Sequence, residues 1–229
     1  MKKNIVIIGG NSGIGGALAQ LLAPTVNLFL LSRNPVPTEG VVTIASDVVN
    51  GDLPTDELPD EIHGLVYCPG SINLRPFKGL KRESFVSDFE INVLGAVKTL
   101  QALEKRMMAA GHAAVVLFST VAVQTGMPFH ASVAAAKGAV EGLTRSLAAE
   151  WAPKIRVNAI APSLVDTPLA EKFLNNEAKV EKASERHPLK RVGTSEEIAA
   201  LASFLLSENS SWVSGQVWTV DGGMGSLKT

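Results

Sequence analysis

The chain has one cysteine, Cys68, so no intrachain disulfide can form, and nothing in its cysteine usage calls for an oxidising compartment. Long apolar runs are absent. None approaches the ~18 residues a membrane span requires, and the run Ile5–Ile8, followed at once by glycines, is too short for a signal-peptide core. A soluble, cytoplasmic protein without a membrane partner is expected. No sign of charge dominates, since 21 basic and 22 acidic side chains leave a net charge of −1. A nucleic-acid binder would need a basic stripe to neutralise phosphates; none is present, so no such partner is expected, nor is a metal site. Tyrosine occurs once, as Tyr67, and no acidic residue precedes Glu39.

What is present is apolar material for one core: 46% of the 229 residues are hydrophobic, at the upper end of single-domain size. Apolar runs bounded by turn residues recur at Asn4–Ile8, Leu28–Leu31, Val41–Ala45, Gly64–Cys68, Ala113–Phe118, Ile155–Ile160 and Gln216–Val220, each a candidate buried strand. Helix-period segments lie between several of them, at Gly13–Leu22, Glu83–Ala110, Ser132–Trp151 and Ser195–Leu206. Strands alternating with helices imply parallel pairing and right-handed crossovers, hence an α/β, doubly wound sheet with helices on both faces in a single domain. Asn50–Glu61, with two prolines and five acidic residues, reads as a loop or short frayed helix. Asp166–Val192 is the longest polar interruption; after a late strand, such a segment is expected to be a substrate lid over residues 166–192, with a solvated helical excursion as the alternative.

The segment Ile5-Val6-Ile7-Ile8-Gly9-Gly10-Asn11-Ser12-Gly13-Ile14-Gly15 sets a strand, a glycine turn and a helix start in succession. Glycines let backbone approach a pyrophosphate, and the helix N-terminus offers it unpaired N–H groups, so phosphate binding is expected at Gly9, Asn11, Ser12, Gly13, Ile14 and Gly15. An NAD site usually carries a carboxylate about 20 residues on, at the end of the second strand. This chain has Ser32-Arg33-Asn34 there instead, a hydroxyl and a guanidinium suited to a 2′-phosphate. NADP (NADPH) is therefore the expected cofactor, ahead of NAD.

Taken together these residues resemble the short-chain dehydrogenase/reductase family along nearly the whole chain, which implies a Rossmann-type dinucleotide-binding domain over residues 1–229. Gly9–Gly15 matches the family's turn, with Ile8 where a threonine is usual, and Asp47-Val48 matches the pair set against the adenine. Asn92 matches the active-site helix asparagine. Pro162-Ser163 and Thr167-Pro168, with Leu164 and Val165 between them, match the segment flanking the nicotinamide, Ser163 replacing a glycine. Tyr67-Cys68-Pro69-Gly70 stands where Asn-Asn-Ala-Gly is expected and keeps only the glycine, so Cys68, Pro69 and Gly70 would offer backbone alone. Asp221-Gly222-Gly223 resembles the family's closing turn. The resemblance also implies a homodimer or homotetramer built on the helices of Glu83–Ala110 and Ser132–Trp151, and a small-molecule substrate.

The family pairs Ser-x12-Tyr-x3-Lys. Anchoring on Lys137 puts Thr120 at the serine and Val133 at the tyrosine. The resemblance implies that this tyrosine protonates the developing alkoxide while the lysine ammonium lowers its pKa and holds the nicotinamide ribose. Valine neither donates nor accepts a proton, and general acid catalysis is typically worth ~10² to 10⁴ in rate. Thr120 keeps a hydroxyl able to orient a carbonyl or water. On a helix beginning early enough, His130, Val133 and Lys137 share a face, and an imidazole one turn before the empty slot could supply the proton. If Pro128 marks the helix start, His130 is instead a loop residue without a role. Ser146–Trp151, together with the absent tyrosine, is similar to dienoyl-CoA reductases, which saturate carbon–carbon double bonds with NADPH. Two readings follow. One is an NADP(H)-dependent oxidoreductase acting on a small carbonyl or activated C=C, with Asn92, Thr120, Lys137 and His130 as its catalytic set. The other is a catalytically silent NADP(H)-binding sensor, or a supporting subunit of a mixed oligomer.

Overall fold

The computed structural model describes residues 2–228. Its centre is a seven-stranded sheet of β1 (Asn4–Ile8), β2 (Asn27–Ser32), β3 (Val41–Ala45), β4 (Gly64–Tyr67), β5 (Ala113–Phe118), β6 (Ile155–Pro162) and β7 (Val217–Val220). The order is β3-β2-β1-β4-β5-β6-β7, and every pairing is parallel. The register is continuous, with Ile8 opposite both Leu31 and Tyr67. Helices α1 (Gly13–Leu22), α2 (Arg82–Phe89), α3 (Gly95–Ala109), α4 (Ala122–Thr125), α5 (Ala131–Trp151), α6 (Glu171–Leu174), α7 (Glu177–Glu185) and α8 (Ser195–Leu206) complete the described elements, with several 3-10 turns.

Because side chains alternate across a strand, each central strand feeds two cores. Ile5 and Ile7 of β1 point to one face, where Leu18 of α1 and Ile198, Ala202 and Leu205 of α8 cover them. Val6 and Ile8 point to the other, under Leu100, Leu103 and Met107 of α3 and Val140 and Trp151 of α5. The near-continuous apolar runs of β4 and β5 are the signature of strands covered on both faces, and every residue in them is buried. Among the described residues no helix is long and apolar enough to cross a membrane.

One expectation changes. The single helix anticipated over Glu83–Ala110 is three segments, α2 and α3 joined by a π-helical turn at Glu90–Leu94. Tyr67 supplies the cause. Its buried ring abuts Gly95, where an added Cβ would lie 2.2 Å from the phenolic oxygen, and its hydroxyl donates to the Ile91 carbonyl at 2.7 Å. The widened turn accommodates the ring, and the phenol satisfies the displaced carbonyl. The Asp166–Val192 segment, expected as a lid or a helical excursion, carries the helices α6 and α7, and its base is pinned by a bridge between Val165 and Gly193. The Asp166 amide donates to the Gly193 carbonyl at 2.9 Å and the Gly193 amide to the Leu164 carbonyl at 3.0 Å.

The chain runs outward from β1 to β3, then crosses back to β4. Connections therefore diverge between β1 and β4, opening a crevice at their carboxyl ends, where ligands of doubly wound sheets bind.

Candidate active site

The glycine turn fills one side of that crevice. Gly9 and Gly13 have φ of 78° and 54°, a region that L side chains rarely adopt. At Gly15 the constraint is space: an added Cβ would sit 2.4 Å from the Gly9 carbonyl oxygen, so α1 packs directly on the turn. Ser12 caps α1 with no side-chain hydrogen bond, and the first turn holds no acid, leaving the helix N-terminus open to an anion. The Asn11 side-chain amide donates to the Asn34 carbonyl, tying the turn to the end of β2. Asn34 is thus committed through its backbone.

At the ends of β2 and β3, the Ser32 and Ser46 hydroxyls are buried without partners, while the Arg33 side chain is exposed beside them. Asp47 binds its own turn. It accepts from the Asn50 side chain at 3.0 Å and from the Val49 and Asn50 amides at 3.0 and 3.2 Å, bonds that hold its carboxyl below the ordinary carboxylate range. Val48 is buried next to it. A turn that excludes Cβ atoms and a helix N-terminus without a side-chain cap fit the phosphate of a bound nucleotide.

Beyond the turn lies a cavity of about 480 Å³. Ile14, Cys68, Gly70 and the loop Pro162–Val165 with Thr167 line its cofactor side; Thr120, His130, Val133 and Lys137 line its far wall. Lys137 is buried, and its ammonium donates to the Phe118 carbonyl at 2.8 Å. Burial lowers its pKa to about 8. Burial likewise pushes the Cys68 thiol up to about 12, so Cys68 stands neutral beside the crevice. The Thr120 hydroxyl accepts from the Ala122 amide at 3.3 Å at the start of α4.

Helix α5 begins at Ala131, with His130 as its N-cap, its carbonyl accepting from the Ala134 amide at 2.8 Å. Phe129, at φ 72°, makes the left-handed turn that delivers His130 to the wall. The loop alternative raised by Pro128 therefore does not remove His130 from the cavity. Its Nδ1 lies 2.8 Å from the Pro128 carbonyl, which can only accept, so Nδ1 carries the proton and Nε2 is the nitrogen free to exchange one.

Asn92 and Pro69 do not line the cavity. Asn92, in the π turn, sits behind Gly70, its amide donating to the Asp88 carbonyl at 2.7 Å and the Ser71 hydroxyl at 2.8 Å. Its Oδ1 is buried and unpartnered. A Cβ at Gly70 would lie 3.4 Å from that oxygen and 3.5 Å from the Lys137 nitrogen, so both polar atoms flank the same stretch of backbone. Pro69 packs on Gly9, where an added Cβ would meet its ring at 3.3 Å. Tyr67 faces away from the cavity into the π turn, and burial raises its phenol pKa.

Sequence reasoning missed two participants, Asp88 and His187. Asp88 is fully buried, accepting from the Ser71 hydroxyl at 2.5 Å and the Asn73 amide at 2.7 Å, with its second oxygen unpartnered. Its place four residues before Asn92 on a helix was the available signal. Ser163 Oγ lies 2.8 Å from His187 Nε2, and His187 Nδ1 lies 2.8 Å from the Ala183 carbonyl, fastening the end of α7 to the loop after β6. Thr167 packs on Gly13, where an added Cβ would meet it at 3.4 Å. Nothing in the sequence links those pairs.

A switch-point crevice, a glycine turn closed to side chains and a buried lysine at its far wall define a nucleotide-binding protein of the doubly wound class. The family model described as enoyl-(acyl carrier protein) reductase matches residues 54–225. The 3-oxoacyl-(acyl-carrier-protein) reductase MabA of Mycobacterium tuberculosis is 30% identical over 233 residues, covering 98% of this chain and 94% of its own. The probable 2,4-dienoyl-CoA reductase of Bacillus subtilis is 33% identical over 245 residues, covering 97% and 96%. The structure of a gluconate 5-dehydrogenase from Burkholderia cenocepacia, in complex with NADP and tartrate, superposes with a TM-score of 0.88 at 27% identity, covering 99% of this chain and 96% of that one. The chain belongs to the short-chain dehydrogenase/reductase family of oxidoreductases.

Proposed function

We propose that this protein is an NADP(H)-dependent oxidoreductase that reduces a small carbonyl or activated carbon–carbon double bond without a tyrosine in the proton-delivery position. The observation that carries the reading is the far wall of the cavity, where Lys137 and Thr120 surround a buried Val133 instead of a hydroxyl. When bound, the reduced nicotinamide supplies the hydride. The glycine turn with Ser12 and Ile14 receives the pyrophosphate, and Ser32 and Arg33 receive the 2′-phosphate. Complexes with NADP among related structures support that choice of cofactor. Lys137 holds the nicotinamide ribose, with Asn92 bracing the backbone at Gly70 beside it. The Thr120 hydroxyl orients the substrate. As the imidazolium, with Nδ1–H held by the Pro128 carbonyl, His130 would give its Nε2 proton to the substrate atom left anionic by reduction, and solvent would reprotonate Nε2 of the neutral ring. The segment 166–192 acts as the lid, fastened through His187 and Thr167, and α3 and α5 form the interface of a homodimer or homotetramer. The 33% identity to a probable 2,4-dienoyl-CoA reductase supports double-bond reduction in particular.

Val133 also favours a second reading, a silent NADP(H) sensor or a supporting subunit, because a buried isopropyl group in that slot cannot move a proton. The discriminating experiment follows NADPH consumption by the pure protein across enones, enoyl thioesters and ketones, together with NADPH and NADH titrations. Turnover that falls on His130→Ala supports the enzyme. A silent panel with tight NADPH binding supports the sensor, and NADH binding as tightly as NADPH overturns the choice of cofactor.

A further inference from the structure

The lid helix α7 separates its charges. Lys179, Lys182 and Arg186, spaced three and four apart, line the cavity, whereas Glu177, Glu181 and Glu185, spaced by fours, do not. Residues three or four apart share a helix face, so the pattern stacks Lys179, Lys182 and Arg186 together and Glu177, Glu181 and Glu185 together, with Lys182 and Glu185 the one opposite-charge pair among these six at such a spacing. Like charges at those spacings repel, and Lys182 and Glu185, the one opposite pair placed to offset this, form no ion pair. Lys172 of α6 joins the cationic side, and no aspartate or glutamate lines the cavity among the described residues. Lys172 and Lys179 are occupied by backbone carbonyls and Asn175. Among the described residues Lys182 and Arg186 make no ion pair, although the chain as a whole is nearly neutral. The remaining lid-side wall is apolar, with Leu74, Met127, Leu169 and Phe173.

We infer that the substrate is an amphipathic anion: an apolar body in the cavity and a carboxylate or phosphate held at its mouth by Lys182 and Arg186. A guanidinium beside an ammonium on one helix face suits an oxyanion, which would relieve the repulsion within α7. This inference rests on the proposed function only in taking the cavity as the substrate's. The same chemistry could instead serve the cofactor's own phosphates, and the test separates the two.

Octyl phosphate and octanol are titrated calorimetrically into the NADPH-loaded protein, into a Lys182→Gln/Arg186→Gln variant and into a Glu181→Gln/Glu185→Gln control. The expected result is octyl phosphate binding about tenfold tighter than octanol, an advantage that the first variant loses and the control keeps. NADPH affinity stays the same in all three proteins. Equal binding of octanol and octyl phosphate to the unmodified protein overturns the inference, as does octyl phosphate binding that ignores the first variant. A loss of NADPH affinity in that variant, with octyl phosphate binding retained, assigns the cations to the cofactor. Absence of hydride transfer would sink the enzymatic reading while leaving these binding results to decide the anion site.

Discussion

Replacing Lys137 by methionine measures what the buried ammonium costs the fold. Its ordinary pKa of 10.5 drops to about 8, chiefly through burial. A gap of that size corresponds to about 3 kcal/mol between the charged and neutral forms. The unfolded chain holds this proton up to 10.5, whereas the folded protein releases it near 8. Between those values the unfolded state binds more protons, so the residue's contribution to stability rises with pH; below 8 the full cost of burying the charge is present. Methionine preserves the length and removes the titration. It also leaves the Phe118 carbonyl without its donor, an offset of about 1–3 kcal/mol that shifts the comparison uniformly without tilting it. The assay is urea unfolding of both cofactor-free proteins from neutral pH to 10.5, taking their difference so that every other titration cancels. The wild type should gain about 3 kcal/mol on the variant across that window. A difference that stays flat with pH would refute the depressed ammonium and with it the picture of a charge held in a dry wall.

Gly15→Ala drives a Cβ to 2.4 Å from the Gly9 carbonyl oxygen, a backbone atom with no room to yield. A stability loss of about 1–3 kcal/mol is expected, with weaker NADPH binding in a fluorescence titration; unchanged binding would remove the glycine turn from the phosphate site. Tyr67→Phe deletes the donor to the Ile91 carbonyl and should lower stability by about 1–3 kcal/mol. The pH profile of any turnover should keep its shape, because Tyr67 faces the π turn, and a lost basic limb would contradict that assignment. Arg33→Glu puts a carboxylate where a 2′-phosphate is proposed, so the NADPH:NADH affinity ratio should fall by about tenfold or more; an unchanged ratio would place 2′-phosphate recognition elsewhere.

The sheet was legible because its cause is local. Short apolar runs bounded by turn residues mark strands covered on both faces, and the helical period between them leaves little topology to choose. The glycine turn was legible for the same reason, with strand, turn and helix start contiguous in the chain. The π turn was only half visible. Asn92 and Gly95 are poor helix-interior residues by propensity, but its cause is a tyrosine 24 residues upstream whose hydroxyl reaches Ile91 across a β-strand-to-helix contact. The fastening of His187 to Ser163 and the packing of Thr167 on Gly13 were invisible because they join segments that only the crossover from β6 brings together. Lys182 and Arg186 read as solvated charges in the sequence. Their meaning depends on which face of α7 meets the cavity, a tertiary fact. Asp88 has only its spacing to Asn92 to mark it in the sequence, because its partners Ser71 and Asn73 come from a loop 17 and 15 residues upstream.

The claim that hydride moves in a site built around Val133 is tested most directly by NADPH carrying deuterium at nicotinamide C4. The labelled cofactor is incubated with the pure protein and the panel of enones, enoyl thioesters and ketones, and the products are read by mass spectrometry. Deuterium on the carbon of at least one reduced product, and its loss when Lys137 is replaced by methionine, is the result this account predicts. Tight binding of the labelled cofactor with no deuterium leaving it, across the whole panel, would contradict it.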